Sequence, residues 1–274
     1  MEVAADSEEG LPAYVSGLSE VVRAFQDYSW DFYRVAAGTS QVRTIMFDNR
    51  ESGHLSGVMH LYPPGVYRAE DDTDLLVEVM RRGEYAVGKR VLDIGTGSGA
   101  LAIAAARAGA TRVTAVDLSL RAVAATWLNS RLQGTRVSVR RGDLFAPVAG
   151  RRFDLVVANP PYVPSEGTVL PRHRTARSWD AGLDGRALLD RICSDVADVL
   201  TLEGDLLLVH SELCGTDRTL EALSAAGLQA QVLARANVAF GPVLQARAAM
   251  LESRGMIYPG QRIEKLVVVG ARHA

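Results

Sequence analysis

The sequence predicts an α/β fold with a doubly wound, mostly parallel sheet of seven strands. From residue 90 onward, short apolar runs of strand length alternate with longer segments of helical composition. The first run, 90–94, is followed by glycines at 95, 97 and 99 and then by an alanine-rich segment of high helix propensity. A strand, a glycine turn and a helix in this order are typical of a ligand site at the end of the first strand of such a sheet.

The elements predicted before the sheet are an N-terminal helical extension and one helix. In residues 13–37 apolar side chains recur at three- and four-residue steps, which predicts one or two amphipathic helices. We therefore divide the chain into an extension, 1–45, and a main domain, 46–274. A helix over 74–82 is predicted next, because Asp72 or Thr73 offers a good N-cap.

The sheet is predicted from apolar runs that are separated by turn residues and by segments of helical type. Its strands lie near 90–94, 112–117, 136–140, 153–158, 204–210, 228–235 and 264–269. Its helices lie near 99–109, 119–132, 184–200 and 215–226. The alternation favours parallel pairing, and we expect the last two strands to form an antiparallel edge.

Composition limits the classes of protein to consider. The chain has 274 residues, 48% hydrophobic and 23% charged, which suffices for one α/β domain and an extension. The net charge of −2 gives the protein no overall positive potential that would attract nucleic acid or an anionic membrane. No apolar run approaches membrane-spanning length and the N-terminus lacks a signal-peptide pattern, so we expect a cytoplasmic protein. Cys193 and Cys214 show no CxxC spacing and are expected to be reduced packing residues rather than metal ligands.

The spacing of the glycines limits the ligand. The pattern Gly95-x-Gly97-x-Gly99 is not the G-x-G-x-x-G of dinucleotide folds, and no Gly-Lys-Ser/Thr follows as in a P-loop. A tight turn without a ligand is the alternative. Asp117 ends the second strand, about 20 residues after the turn, where a carboxylate can accept both hydroxyls of a ribose.

A further acidic residue follows the third strand. Asp143 can accept a hydrogen bond from an exocyclic adenine amine and Leu144 can cover the ring, although an ordinary turn aspartate is an equal alternative. Ligands of such sheets bind outside the carboxyl ends of the strands. Gly95, Asp117, Asp143 and Asn159 all fall at these ends, which a glycine turn without a ligand would not produce.

The run Asn159-Pro160-Pro161-Tyr162 is the most specific signal in the chain. It follows a buried-type strand, and its two prolines remove two backbone donors and stiffen the turn. The Asn159 side chain and the Pro160 carbonyl are then two acceptors that can hold the hydrogens of an amide or arylamine nitrogen. Held in this way, a weak nucleophile presents its lone pair, and Tyr162 can stack on a planar acceptor. Proximity and alignment can supply about 7–11 kcal/mol in such a site.

The glycine turn, Asp117 and the Asn-Pro-Pro-Tyr run together resemble the S-adenosylmethionine (SAM) dependent methyltransferases over roughly residues 60–270. The resemblance implies a Rossmann-like sheet, SAM as cofactor and no metal, because the SAM methyl is already activated as a sulfonium. It implies as catalytic residues Asn159, Pro160 and Tyr162. It implies as cofactor residues Tyr67, Thr73, Asp93, Gly95, Thr96, Gly97, Gly99, Asp117, Leu118, Asp143, Leu144 and Asn159.

Among these enzymes the chain resembles the HemK-like glutamine methyltransferases of release factors. Asn-Pro-Pro-Tyr is typical of methyltransferases that act on exocyclic or amide nitrogen, adenine methylases included. Three further segments, 163–164, 179–185 and the entry segment 66–73, carry the HemK-like resemblance. The chain departs from the family at Ala69, where proline is usual, and in its N-terminal extension, which is shorter than the helical domain of the release-factor enzymes.

The aromatic extension decides which methyl acceptor we expect. Tyr28, Trp30 and Tyr33 either pack the predicted helix onto the domain or belong to a lid that faces the substrate. They cannot all share one helical stripe, so at least one should point away from the docking face. We expect them, with Tyr162, to bind a small planar metabolite with an indole-, purine- or amide-like nitrogen or an electron-rich ring carbon as acceptor.

Two other hypotheses stay open. The second is a HemK-like protein glutamine methyltransferase, whose acceptor is a peptide amide. The third is a catalytically silent SAM-binding protein, against which the intact Asn-Pro-Pro-Tyr run argues. SAM turnover with a metabolite panel and with a release-factor Gly-Gly-Gln peptide would separate them. No nucleic-acid or membrane partner is strongly indicated, and the sequence indicates no oligomeric state.

Two features near the motif have two interpretations each. Arg172, His173, Arg174 and Arg177 lie on a predicted loop and either meet an anionic group of the substrate or are simply solvated. His210 ends the fifth predicted strand and is either a general base or a packing residue.

Overall fold

Seven strands form one sheet in the computed structural model, which describes residues 60–63, 65–166 and 180–274. The strands are β1 (Arg90–Ile94), β2 (Arg112–Asp117), β3 (Val137–Arg141), β4 (Phe153–Ala158), β5 (Leu200–Ser211), β6 (Leu228–Ala239) and β7 (Ile263–His273). The helices are α1 (Asp71–Arg82), α2 (Ala100–Arg107), α3 (Leu120–Leu132), α4 (Leu189–Asp195), α5 (Thr216–Ala225) and α6 (Pro242–Ser253).

The order of the strands in the sheet is β3-β2-β1-β4-β5-β7-β6. Strands β1 to β5 pair in parallel, whereas β7 runs antiparallel to both β5 and β6. From β1 the chain continues to β2 and β3 on one side and then returns to β4 on the other, so the topological switch point lies between β1 and β4. The predicted doubly wound, mostly parallel sheet with an antiparallel edge is confirmed.

Both faces of the sheet are buried, because the central strands carry apolar side chains on both sides. On one face Leu207 of β5 belongs to a core cluster with Leu76 of α1. On the other face Leu208 belongs to a core cluster with Ile192 of α4. This arrangement leaves the carboxyl ends of the parallel strands as the edge where polar residues gather.

Two helices begin elsewhere than the sequence predicts. Helix α1 begins at Asp71, and its N-cap residue is Glu70, whose side chain does not cap the helix. The predicted caps Asp72 and Thr73 are therefore buried in the first turn, where their side chains can contact other parts of the chain. The helix predicted over 184–200 is shortened to Leu189–Asp195 and a following 3-10 turn.

Helix α6 is absent from the sequence prediction. It lies between β6 and β7, which were expected to follow each other as a plain antiparallel pair. Its signals are Pro242 in the first turn and the buried Leu244, Ala248 and Leu251 at three- and four-residue steps. Strands β5, β6 and β7 are also longer than predicted.

Several predictions fall outside the described residues and stay predictions: the extension 1–45 with its helices in 13–37, and the roles of Arg172, His173, Arg174 and Arg177. Among the described residues, no helix is both long and apolar enough to span a membrane. Cys193 and Cys214 are buried free thiols, and burial raises their pKa values to about 11 and about 12.

Candidate active site

The glycine turn between β1 and α2 uses backbone angles that only glycine adopts without strain. Gly95, Gly97 and Gly99 have φ values of 72°, 56° and 90°. A Cβ atom on Gly99 would lie 2.9 Å from Cγ2 of Thr126, so this glycine lets α2 and α3 approach each other. A Cβ atom on Gly95 would meet no atom of the described residues within 4 Å, so these residues leave the backbone there open to a ligand.

Asp93 holds the shape of this turn from inside the protein. It is fully buried, and its Oδ2 atom accepts hydrogen bonds from the Thr96 hydroxyl at 2.6 Å and from the Ala102 N–H at 3.0 Å. Burial raises its pKa to about 7 in spite of these two bonds. Asp93 and Thr96 thus contact the turn itself, and their contact with SAM stays a prediction.

Asp117 joins the glycine turn to the end of β2. Its Oδ2 atom accepts from the Gly97 N–H at 3.0 Å, and its Oδ1 atom accepts from the Ser119 N–H at 2.8 Å. The Asp117 side chain is partly exposed, and the next residue, Leu118, is 37% exposed. Gly97, Asp117 and Leu118, which were predicted to bind SAM, are therefore close together at the carboxyl ends of β1 and β2.

Asp143 lies just after β3 but is paired with another side chain. Its two oxygens accept hydrogen bonds from the two terminal nitrogens of Arg191 at 3.2 and 2.8 Å, and both side chains are about half exposed. Leu144 has a positive φ of 44° and packs against the core. An adenine amine would have to share Asp143 with Arg191, and this contact stays a prediction.

Five side chains from the entry segment, α1 and the Asn-Pro-Pro-Tyr run form one hydrogen-bonded group. The Tyr67 hydroxyl donates to both oxygens of Asp72 at 2.8 Å, and the Tyr162 hydroxyl donates to Asp72 Oδ2 at 2.8 Å. The Asn159 Nδ2 atom donates to the Thr73 hydroxyl at 3.1 Å. Two successive residues of α1 therefore bind the two ends of the Asn-Pro-Pro-Tyr run. Thr73 binds Asn159, 86 residues away in the chain, and Asp72 binds Tyr162, 90 residues away.

The same group connects the motif to the glycine turn. A Cβ atom on Gly97 would lie 3.7 Å from Cβ of Tyr67, so Tyr67 lies against the turn while its hydroxyl reaches Asp72. Since Thr73 engages Nδ2 of Asn159, the Asn159 Oδ1 atom is the one available to accept a hydrogen bond. The hydrogen-bonded group therefore links the glycine turn, where SAM is predicted to bind, to the Asn-Pro-Pro-Tyr run, where the methyl acceptor is predicted to bind.

Burial, together with neighbouring acidic groups, keeps the ionisable side chains of this cluster protonated. Burial and the neighbouring Asp72 raise the pKa values of Tyr67 and Tyr162 well above their usual range, so both hydroxyls act as neutral donors. Glu264 on β7 is 6% exposed, and its Oε2 atom has no hydrogen-bond partner among the described residues. Burial, and then nearby acids led by Asp72, raise its pKa to about 7, although a hydrogen bond with Ser211 opposes the shift. No local pattern in the sequence distinguishes Glu264 from an exposed acidic residue.

Glu264→Gln should remove part of the pH dependence of stability. A carboxyl whose pKa rises from 4.5 to about 7 on folding stabilises the folded state below pH 4.5, and this contribution is lost as the pH rises to about 7. The shift is worth about 3 kcal/mol. In urea denaturation, the variant should therefore gain about 3 kcal/mol of unfolding free energy relative to wild type between pH 4 and pH 8. The exposed Glu221→Gln is the control, and the same difference at both pH values for Glu264→Gln would contradict the prediction.

A buried arginine that no sequence pattern predicts lies behind the motif. Arg186 is 1% exposed, and its Nη1 atom donates to the Cys214 carbonyl at 2.7 Å and to the Thr219 hydroxyl at 3.0 Å. Its Nη2 atom donates to Asp190 at 2.6 Å. Arg186 therefore fastens the segment that precedes α4 to α5, and a single arginine in a polar stretch offers no sequence signal for this.

His210 lies inside the sheet. It is fully buried near the end of β5, with its Nδ1 atom 2.8 Å from the Ser211 carbonyl oxygen. Burial lowers its pKa to about 4. Because the imidazole is neutral and buried, His210 is better explained as a packing residue than as a general base.

Comparison with known proteins identifies the family. A family model described as the methyltransferase small domain matches residues 61–172. A putative protein N5-glutamine methyltransferase of Methanocaldococcus jannaschii is 31% identical over 186 residues, which cover 68% of this chain and 92% of that protein. The chain belongs to the HemK-like family of SAM-dependent methyltransferases. Methyltransferase activity and SAM as the cofactor, both predicted from the sequence, are thereby confirmed.

Other HemK-like relatives match over shorter stretches. The ribosomal protein uL3 glutamine methyltransferase of Bradyrhizobium diazoefficiens is 45% identical over 127 residues, which are 43% of this chain and 40% of that protein. Several release factor glutamine methyltransferases match over 38% to 60% of their own length. The structure of the E. cuniculi Mtq2–Trm112 complex, responsible for methylation of the eRF1 translation termination factor, has a TM-score of 0.54 at 23% identity. That match covers 77% of this chain and 99% of the other, and it shows the same fold.

The HemK-like relatives overturn the expectation of a small planar metabolite as methyl acceptor. They are named glutamine methyltransferases of proteins, so the small-molecule acceptor is wrong, and so is the small-molecule partner. That expectation depended on an aromatic lid with Tyr28, Trp30 and Tyr33, and these residues lie outside the described part of the chain. Aromatic content alone does not distinguish a lid from packing.

The residues at the carboxyl ends of β1 and β2 fit SAM. The open approach to the Gly95 backbone suits a ligand that lies close to the main chain. The partly exposed Asp117 carboxylate has the acceptor chemistry that a ribose diol requires. When bound, SAM would supply the activated methyl group, and these residues would hold its nucleoside part.

Asp117→Ala should weaken SAM binding by about 1–3 kcal/mol, because a charged acceptor of hydrogen bonds is lost. Isothermal titration calorimetry measures the change, and the melting temperature reports any loosening of the turn through the Gly97 contact. Asp217→Ala, at an exposed position on α5, is the control. An unchanged dissociation constant for Asp117→Ala would place the ribose elsewhere.

Proposed function

We propose that this protein transfers the methyl group of SAM to the side-chain amide nitrogen of a glutamine in another protein. The observation that carries the proposal is the 3.1 Å hydrogen bond from Asn159 Nδ2 to the Thr73 hydroxyl. It leaves the Asn159 oxygen as an acceptor beside the carbonyl of Pro160. Two neighbouring acceptors match the two N–H hydrogens of a primary amide.

A primary amide needs such a site because its nitrogen lone pair is delocalised into the carbonyl group. Acceptors on both N–H hydrogens place negative partial charge where positive charge develops on the nitrogen during transfer. Bound SAM supplies a methyl group activated by its sulfonium charge. The new C–N bond forms as the S–C bond breaks, and one amide proton then leaves to solvent, which yields N5-methylglutamine and S-adenosylhomocysteine.

Tyr162 completes the acceptor side in this proposal. Its hydroxyl is tied to Asp72, which limits the ring to one orientation against which a planar amide can stack. Asp72 also receives the Tyr67 hydroxyl from the cofactor side, so both substrates are aligned through one carboxylate. The Asn-Pro-Pro-Tyr run is therefore the acceptor motif of the proposed reaction, with Asn159, Pro160 and Tyr162 in direct contact with the amide.

The names of the relatives support a protein as the acceptor. The M. jannaschii relative is matched over most of its length and is named for protein N5-glutamine. The uL3 and release-factor enzymes are matched over part of their length, so both substrates belong in the test. Release factors and ribosomes work in the cytoplasm, which is the location that we propose.

The test uses the full chain and SAM with a labelled methyl group. The acceptors are a release-factor Gly-Gly-Gln peptide, an intact release factor and ribosomal protein uL3. A Gly-Gly-Asn peptide is the matched control, because it keeps the amide and shortens its reach by one methylene. We expect label on a glutamine side chain, located by fragmentation mass spectrometry. Label on a metabolite panel and on none of the glutamine substrates would overturn the proposal.

A further inference from the structure

Asn129 of α3 joins the segment before α1 to the glycine turn. We call this segment, residues 60–63 and 65–67, the pre-helix loop. The Asn129 side chain is fully buried, and its Oδ1 atom accepts from the Leu61 N–H at 2.8 Å. Its Nδ2 atom donates to the Leu61 carbonyl at 3.0 Å and to the Ser98 carbonyl at 2.8 Å. One side chain therefore binds both backbone polar groups of Leu61 and the residue that follows Gly97 in the turn.

The three contacts depend on the amide group of Asn129. An amide carries an acceptor and two donors on one planar group, so it can pair with the N–H and the carbonyl of a single residue as a neighbouring β-strand would. A carboxylate at this position would face two carbonyl oxygens, and an apolar side chain would take a partner from three backbone groups. The identity of residue 129 thus decides whether Leu61 is held to the turn.

The other end of the pre-helix loop lies against the same turn. A Cβ atom on Gly97 would lie 3.7 Å from Cβ and 3.8 Å from the carbonyl oxygen of Tyr67. Between the two ends the chain reverses its direction, because the Val66 N–H donates to the Pro63 carbonyl at 3.0 Å. Asn129 holds the first end, at Leu61, and Tyr67 forms the second. Both ends of the loop are therefore beside successive residues of the glycine turn.

Two further contacts keep the pre-helix loop compact without reaching the turn. The Nε2 atoms of Gln133 and His60 lie 3.1 Å apart, which joins the first residue of the loop to the end of α3. The guanidinium carbon of Arg68 lies 5.6 Å from the centroid of the Tyr62 ring. Because these contacts do not involve Asn129, its loss should loosen the loop from the turn and leave α3 folded.

An ordered pre-helix loop favours ligand binding at the glycine turn. Tyr67, at the end of the loop, is one of the residues predicted to bind SAM, and its hydroxyl donates to Asp72. A loop that becomes ordered only when a ligand binds loses conformational entropy, and this cost weakens the binding. A loop that is already fixed to the turn avoids most of the cost.

We infer that Asn129 is a positioning residue for SAM, which fixes the pre-helix loop, and with it Tyr67, against the glycine turn before the cofactor binds. Because its side chain is fully buried, Asn129 acts through Leu61 and Ser98 and not by contact with SAM. The inference rests on the predicted SAM site at the glycine turn. It goes beyond that site, because it assigns part of the affinity for SAM to a residue outside it, and it is independent of the methyl acceptor.

The experiment uses two substitutions of similar size in the full chain. Asn129→Leu removes all three hydrogen bonds, whereas Asn129→Asp keeps only the acceptor for the Leu61 N–H. Calorimetry should show that the SAM dissociation constant rises about tenfold or more in both variants, because binding then has to order the loop. Ser130→Ala is the matched control, because Ser130 is buried beside Asn129 and its hydroxyl donates within α3, to the Trp127 carbonyl. Its dissociation constant should stay within about twofold of the wild-type value.

Hydrogen exchange of the backbone amides reports on the pre-helix loop itself. In the free Asn129→Leu variant, the amides of residues 61–66 should exchange about tenfold or more faster than in the free wild type, and SAM should slow them again. Exchange in α3 should change little. Thr126→Val removes a hydrogen bond of 3.0 Å to the Gly97 carbonyl and does not touch the loop, so its loop amides should exchange at the wild-type rate.

Three results would overturn the inference. The first is a SAM dissociation constant within about twofold of wild type in both Asn129 variants. The second is a rise in the dissociation constant without faster exchange in the loop, because the effect would then come from the turn alone. The third is an equal rise in Ser130→Ala, which would indicate a general loosening of α3.

The wild-type protein decides if neither Asn129 variant folds, as judged by its melting curve. A ligand that prefers the ordered loop also stabilises it, so SAM should slow the exchange of residues 61–66. Unchanged exchange would overturn the inference. Failure of the predicted SAM site is a separate outcome: an unchanged dissociation constant in Asp117→Ala would show it, and the inference would fail with it.

Discussion

Asn159→Ala should lower glutamine methylation about 100-fold or more, while the dissociation constant of SAM stays within about threefold of the wild-type value. The lost Oδ1 atom acts on the hydrogens of the acceptor nitrogen, where charge develops only during transfer. The glycine turn and Asp117, which we expect to bind the nucleoside, do not depend on the Asn159 side chain. The measurement is kcat with labelled SAM, beside calorimetry of SAM binding.

The orientation of Asn159 supplies a stricter form of this test. Thr73→Val removes the hydroxyl that accepts from Asn159 Nδ2, whereas Thr73→Ser keeps it. Turnover should therefore fall in the valine variant and largely survive in the serine variant. Asn237→Ala, at an exposed position on β6, controls for the loss of an asparagine side chain. Full activity of Asn159→Ala would mean that the amide is held by other groups.

The sheet was predictable because its signals are local. Buried parallel strands appear in the sequence as continuous apolar runs. The glycines at 95, 97 and 99 indicate the turn after β1, and their φ values are all positive. The position of Asp117 at the end of β2 was predictable for the same reason, whereas its contact with the ribose of SAM stays a prediction. Helix α6 was missed, although Pro242 and its buried leucines indicate it, because β6 and β7 already formed a plausible pair.

The contacts that assemble the site were not predictable from the sequence. Asp72 was interpreted as a helix cap, but the helix begins before it, and its carboxylate binds Tyr162 from 90 residues away. Glu264 and Arg186 are ordinary charged residues until the fold buries them. Pairings of this kind depend on which strand ends meet at the switch point, and local patterns do not encode that.

Gly185→Ala should destabilise the protein by about 2–5 kcal/mol and impair the motif at the same time. Gly185 has a φ of 76°, which is strained for any other residue. An added Cβ atom would clash with the Tyr162 carbonyl oxygen and would lie 2.8 Å from the Cys214 sulfur. The same carbonyl accepts a hydrogen bond from Cys214 at 3.1 Å, so it has little room to move. Urea denaturation measures the loss of stability.

Gly182→Ala is the matched control for this change. Gly182 has a similar φ of 82°, but among the described residues a Cβ atom there would contact only Cβ of Ala187, at an ordinary 3.6 Å. It should therefore cost only the backbone strain of about 1–2 kcal/mol. The excess cost in Gly185→Ala measures the clash with the motif, and kcat below the melting temperature should fall in that variant because Tyr162 is displaced. Equal effects of the two substitutions would mean that Gly185 serves the turn alone and does not support the Asn-Pro-Pro-Tyr run.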